Sequence, residues 1–248
     1  MKIRHLIFGV SFAIPFLLFS CKPEPREKVS HQPNVLIFSK TKANRHECIE
    51  PGVAALQGYF KSHGMTSTHS EDTLIFTAEN LKPFDAVMFF QTSGNVLGPA
   101  QEKVFQSYIR SGKGFAGIHA AADTEYDWPW YGQLTGAYFA DHPDIQTGVL
   151  VKTDSVHACI KHLPVRWSRT DEWYNFKQTP KNVQVLLKID EATYHGGVHG
   201  ADHPMAWCHV YDGGRAFYTA LGHTVESYKD TLFLEHIRLG VLWAANKL

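Results

Sequence analysis

Three short apolar runs, spaced by helical stretches, most constrain what this chain can fold into. Residues 34–38 (NVLIF), 85–91 (DAVMFFQ) and 114–119 (GFAGIH) are too short for buried helices and too continuously apolar for strands with one wet face. Strands of a parallel sheet covered by helices on both faces read this way. Between the first two runs, Ile49, Val53, Leu56 and Phe60 recur at helix spacing, with Pro51 in the first turn and Gly64 to end it. Gly98-Pro99 opens a second helix with Val104, Phe105, Tyr108 and Ile109 inward and Gly112 at its end. The rhythm predicts strands 34–38, 85–91 and 115–119 as mutually parallel neighbours, with helices 49–63 and 99–111 packed on them. Runs 183–189, 205–211 and 215–220 read as later strands, the last two joined at Asp212-Gly213-Gly214 as a hairpin. A closing helix is expected from about Glu226 to Ala245. Residues 123–180 hold many aromatics, prolines and histidines with little periodicity and read as long functional loops with short elements. With no repeat or internal linker, residues 34–248 form one expected domain.

The first residues read as an address. Lys2 and Arg4 precede an apolar run from Leu6 to Phe19, broken only by Gly9, Ser11 and Pro15. Roughly 14 residues falls short of the ~20 needed to span a bilayer and fits the core of an export signal. The run closes on Leu18-Phe19-Ser20-Cys21, which resembles the lipobox of bacterial lipoproteins, where the cysteine is lipidated and becomes the first mature residue. Residues 1–20 are thus expected to be a lipoprotein signal peptide, with Cys21 the lipidation site and membrane anchor. Residues 21–33, polar and proline-containing, are the expected tether. The expected location is the cell envelope, on the periplasmic or outer-membrane side. Export implies an oxidising compartment. Cys48, Cys159 and Cys208 are odd in number and not closely spaced, and read as buried free thiols, with a Cys159–Cys208 bridge as the alternative.

Lys+Arg (24) balance Asp+Glu (24), so the chain lacks the basic footprint of a nucleic-acid binder. No nucleotide cofactor is expected. The excesses are 15 histidines together with 16 Phe, 10 Tyr and 6 Trp. Histidine is the commonest metal ligand and a proton carrier near neutral pH. Trp and Tyr suit half-polar, flat ligands such as sugars. Ligands of an open parallel sheet collect at the carboxyl ends of its strands, where Arg45-His46, His119 and Gly222-His223 are expected. In Gly117-Ile118-His119-Ala120-Ala121, small residues flank the central side chain as a sharp strand-to-helix elbow requires. An imidazole there can be a base, an acid or a metal ligand; the plainer reading is a strand-end histidine capping backbone groups. The candidate catalytic residues are His119, His46, His223 and Arg45, the last as the cation facing an oxyanion. His46, His119, His142 and His223 are the candidate ligands for zinc or a similar divalent ion, with His203, Asp171 and Glu172 as further donors. Trp128, Trp173 and Trp207, with Glu172 and His203, are candidates for contacting substrate. Of these tryptophans and Trp130, at least two are expected to be core. His195, His199 and His203 stand four apart, but Gly196, Gly197 and Gly200 disfavour a helical metal pair.

Taken together, Arg45-His46-x-x-Ile49, Gly117–Ala121, Asp171-Glu172-Trp173-Tyr174, His203-Pro204-Met205-Ala206-Trp207 and the segment Gly214–His223 resemble ThuA-like proteins, a family named from bacterial trehalose utilisation. The resemblance runs from about Asn34 to Asn246. It implies an α/β, flavodoxin-like three-layer sandwich of the class I glutamine-amidotransferase type, with a mainly parallel sheet. Amidotransferases carry a cysteine at the elbow; His119 stands there in this chain, so glutaminase chemistry is not expected. The resemblance implies a carbohydrate substrate. The expected function is an exported enzyme acting on a carbohydrate or 3-keto-glycoside by histidine- and metal-assisted proton abstraction and cleavage. The alternative is a non-catalytic sugar-binding lipoprotein, which needs no transition metal.

Overall fold

The computed structural model describes residues 32–248; the expected signal peptide, most of the tether and Cys21 lie outside the described residues. The strands are β1 (Asn34–Phe38), β2 (Thr66–Ser70), β3 (Ala86–Phe90), β4 (Gly114–Ile118), β5 (Phe139–Asp141), β6 (Gln146–Lys152), β7 (Arg166–Asp171), β8 (Asn175–Phe176), β9 (Gln184–Asp190), β10 (Pro204–Tyr211) and β11 (Gly214–Thr219). The helices are α1 (Ile49–Ser62), α2 (Ala78–Leu81), α3 (Pro99–Arg110), α4 (Pro129–Thr135) and α5 (Thr231–Ala244). Nine strands form one sheet in the order β2-β1-β3-β4-β11-β10-β9-β6-β7. From β2 to β11 the pairings are parallel. From β11 onward they are antiparallel. The switch is the β10–β11 hairpin, whose Asp212 (φ 46) and Gly213 (φ 92) take the left-handed conformations a two-residue turn requires.

Side-chain alternation explains the layers. Phe89 and Phe115 point to one face, where Phe105 of α3 stacks on Phe89 and Tyr131 of α4 meets both rings. Phe90 and Phe217 point to the other. There α1 comes so close that a Cβ on Gly52 would lie 2.6 Å from the Phe90 ring, and α5 so close that one on Gly240 would lie 2.3 Å from Phe217. Each of these fully buried aromatics contributes about 1.5–3 kcal/mol of transfer free energy, so sheet and helices assemble as one three-layer α/β sandwich. Cys48, Cys159 and Cys208 are buried free thiols.

The structure departs from the sequence expectation at the edges. Residues 123–180 contain β6 and β7, which extend the main sheet, and the β5–β8 pair forms a small second sheet. Strand β7 (RWSRTD) and the opposite edge strand β2 (TSTHS) are polar. Edge strands of this composition resist edge-to-edge association, and the same polarity removes the apolar signal. The last helix begins at Thr231, because the Asp230 carboxylate accepts the Leu232 N–H at 2.9 Å and caps it there. Residues Val225–Lys229 make a separate 3₁₀ turn.

Candidate metal centre

The elbow after β4 presents His119. Its φ of 51° lies in the left-handed region, uncommon for a non-glycine residue. A Cβ at Gly117 would stand 2.9 Å from the Tyr218 ring and 3.2 Å from the Ala121 methyl, so the flanking residues must be small. The His119 Nδ1–H donates to the Ala220 carbonyl at 2.6 Å. That bond sets the tautomer and leaves the Nε2 lone pair facing inward, the usual arrangement of a metal-ligating imidazole. Tyr174 covers the ring from one side, centroids 4.1 Å apart.

Three further groups converge on that nitrogen. Glu172, just past β7, brings Oε2 to 3.2 Å from His119 Nε2 and 3.1 Å from His223 Nδ1. The two imidazole nitrogens are 3.3 Å apart. His46, in the loop between β1 and α1, stands edge-on to His119 and His223, with ring centroids 5.1 and 4.9 Å away. Its Nδ1 is buried with no hydrogen-bond partner. Taking one ligand atom from each, His46, His119, Glu172 and His223 lie within 4.8 Å of one another.

Electrostatics make this a donor set. Burial and the neighbouring His119 and His223 push the His46 imidazole down to about 3, so it stays neutral with a free lone pair. Burial alone would raise the Glu172 carboxyl, but His119 and His223 hold it well below the usual carboxylate range. Burial opposes a charge on His223, and Glu172 outweighs burial and raises it. Lone pairs facing one another at 3.1–3.3 Å need a proton or a cation between them. Atoms ~2.0–2.1 Å from a tetrahedral zinc ion sit ~3.3 Å apart. The spacing, the unpartnered His46 Nδ1 and the mixed imidazole–carboxylate set therefore fit a divalent ion. Beside the cluster opens a cleft of about 410 Å³ lined by Asn44, Arg45, His46, Ile145, His223 and Thr224, the size of a small-ligand pocket.

Other candidates fall elsewhere. The Arg45 guanidinium is held by Glu50 (2.6 Å) and Glu71 (2.8 Å), so it borders the cleft as a paired charge and not as the free cation expected for an oxyanion. His142 is half-exposed and places Nδ1 3.2 Å from Glu172 Oε1 and 3.0 Å from the Pro143 carbonyl. With Nδ1–H donating to these oxygens, His142 joins the site as a partner of Glu172, outside the four donors whose ligand atoms lie within 4.8 Å of one another. His203 is buried with both nitrogens occupied, by Glu191 (2.7 Å) and the Tyr174 carbonyl (2.8 Å), and cannot meet substrate. Trp173 and Trp207 have no solvent access; their indole N–H groups donate to the Gln146 and Thr135 carbonyls. They are core, not stacking surfaces for a sugar. Half-buried Trp128 stacks on Trp130 at 4.9 Å. Asp171 points away from the imidazoles and accepts from backbone N–H groups. Sequence reasoning missed the cover that Tyr174 gives His119, which had no signal beyond its place after Glu172-Trp173.

An open α/β sheet with its functional side chain on a left-handed elbow after a central parallel strand defines the class I glutamine-amidotransferase-like type, with an imidazole where the nucleophile would be. Within that class the chain belongs to the ThuA family, described as trehalose utilisation, whose family model matches residues 34–244. Solved structures agree in fold. A ThuA-like protein from Parabacteroides merdae superposes with a TM-score of 0.73 at 19% identity, over 87% of this chain and 90% of that one. A ThuA-like protein from Bacteroides uniformis gives 0.71 at 24% identity, over 89% and 95%. A β-galactosidase from Rahnella sp. R3 gives 0.56 at 13% identity, over 88% of this chain but 32% of that enzyme, so the likeness covers one part of a larger protein. No curated protein matches the sequence.

Proposed function

We propose that this chain is a carbohydrate-processing enzyme that holds a divalent metal ion at His46, His119, His223 and Glu172 and removes a proton beside the carbonyl of a 3-keto-glycoside. One observation carries the reading: three imidazoles and a carboxylate from four separate loops converge at the carboxyl edge of the sheet, with a buried His46 nitrogen left unpartnered. The family description, trehalose utilisation, supports a sugar as substrate. A bound divalent ion would supply a Lewis acid for the keto oxygen. His119 is closed to solvent with Nδ1 committed, so it serves as ligand and not as base. His223 is likewise held as a ligand, so the half-exposed His142 imidazole, whose Nδ1–H faces Glu172, takes the C2 proton on Nε2. The C2–H electron pair forms a C1=C2 bond, and the C1–O pair leaves on the aglycone oxygen, which takes up a proton. Residues 1–21 add a proposed setting: the cell envelope, with the membrane reached through a lipid on Cys21.

The test is metal content and turnover on one preparation. Zinc or a related ion at about one per chain, with 3-keto-glycoside cleavage lost on chelation and restored by the ion, is expected. Sugar binding without metal or turnover would overturn the reading and leave a binding protein.

A further inference from the structure

We infer that Asp171, which faces no imidazole, is a positioning residue that sets the affinity of the metal centre by placing Glu172 and His223 together. The inference rests on the metal reading above. Asp171 is fully buried, and its carboxylate accepts four hydrogen bonds. Oδ1 takes the backbone N–H of Glu172 (3.1 Å) and of His223 (3.0 Å). Oδ2 takes the N–H of Gly222 (2.9 Å) and Nη2 of Arg169 (3.1 Å). One side chain at the end of β7 thus grips the peptide of one donor and the turn bearing the other, 51 residues further along the chain.

The grip is itself fixed. The Arg169 guanidinium lies over the rings of Trp167 and Phe233, 4.6 Å from each, and also reaches Ser227 Oγ (2.8 Å) and Asp230 (3.4 Å). The far side of the turn is held too: the Gly222 carbonyl accepts from Gln91 Nε2 (2.7 Å) and the Tyr228 hydroxyl (2.8 Å). Gly222 has φ 108, a conformation other residues rarely adopt, so the turn needs such restraint. Groups that orient ligands in this way typically govern metal affinity by 10–100-fold.

Asp171→Asn keeps the shape but turns an amide NH₂ toward N–H donors on one side, so the turn must shift. The experiment uses the full chain and two readouts. Zinc titration of the chelated protein should show affinity falling 10–100-fold in the variant. In metal-free protein, a proton NMR cross-peak between the His119 and His223 rings should be present in the wild type and lost in Asp171→Asn, while the core methyl spectrum is kept. A merely structural role lowers thermal stability and leaves both readouts unchanged; that result overturns the inference. If the wild type binds no zinc but the cross-peak still depends on Asp171, the metal reading falls and the positioning role stands. Should Asp171→Asn fail to fold, Arg169→Lys keeps the charge while losing the fork, and a several-fold weaker zinc affinity is expected; unchanged affinity and cross-peak in it would overturn the inference.

Discussion

Replacing His119 by glycine separates a ligand from a packed core histidine, because the structure assigns opposing terms to the change. The variant loses the Nδ1–Ala220 hydrogen bond, worth about 0.5–1.5 kcal/mol, and the packing of the ring against Tyr174. It gains relief of the left-handed backbone, about 1–2 kcal/mol for a residue with a Cβ. The ring is fully buried, so its removal also leaves a cavity; the losses exceed the relief, and the chelated variant should melt several degrees below the chelated wild type. Zinc should widen the gap. At a free concentration a hundredfold above Kd, a bound ion stabilises the native state by about 2.7 kcal/mol. For a domain of this size that raises Tm by roughly 5–11 °C, at ~2–4 °C per kcal/mol. The assay is thermal unfolding of both proteins with chelator and with zinc. Wild type should gain those degrees, and His119→Gly almost none. An equal zinc shift in the two proteins would refute the assignment of His119 as a ligand.

Acid should weaken the metal-free protein. Burial pushes the His236 imidazole to about 3, below its ordinary 6.5, so the unfolded chain takes up a proton first as pH falls. That stability is complete above pH 6.5 and is lost toward pH 3, by about 2 kcal/mol at pH 5 from ~1.4 kcal/mol per unit; urea midpoints from pH 7 to 5 should fall, and less steeply in His236→Gln. Trp207→Ala should cost about 3–5 kcal/mol as a core truncation, and sugar affinity measured on the folded fraction should stay unchanged; a selective loss of affinity would return Trp207 to the binding surface. Cys21→Ser should abolish lipid labelling of the expressed chain, and unchanged labelling would refute the anchor.

What could be read from the residues follows from where they end up. Strands β1, β3 and β4 are covered on both faces, so their runs are unbroken and the parallel half of the sheet was legible, as was the elbow, whose small residues answer to Tyr218 and Ala121. Strands β2, β6 and β7 lie at or near the edges and keep polar residues, so no apolar period marked them. His46, His119 and His223 were legible as neighbours because each follows a strand of the parallel half. The division between Asp171 and Glu172 was not, since it depends on the chain leaving β7 with one carboxylate turned to backbone N–H groups and the next to imidazoles. His203 differs from a ligand only through Glu191 and the Tyr174 carbonyl, partners that the fold supplies.

The most direct measurement is an anomalous difference map at the zinc absorption edge from crystals of zinc-replete protein. One strong peak enclosed by His46, His119, Glu172 and His223 is the predicted result. A map without a peak among these four residues, at zinc concentrations that saturate binding in solution, would contradict the metal centre.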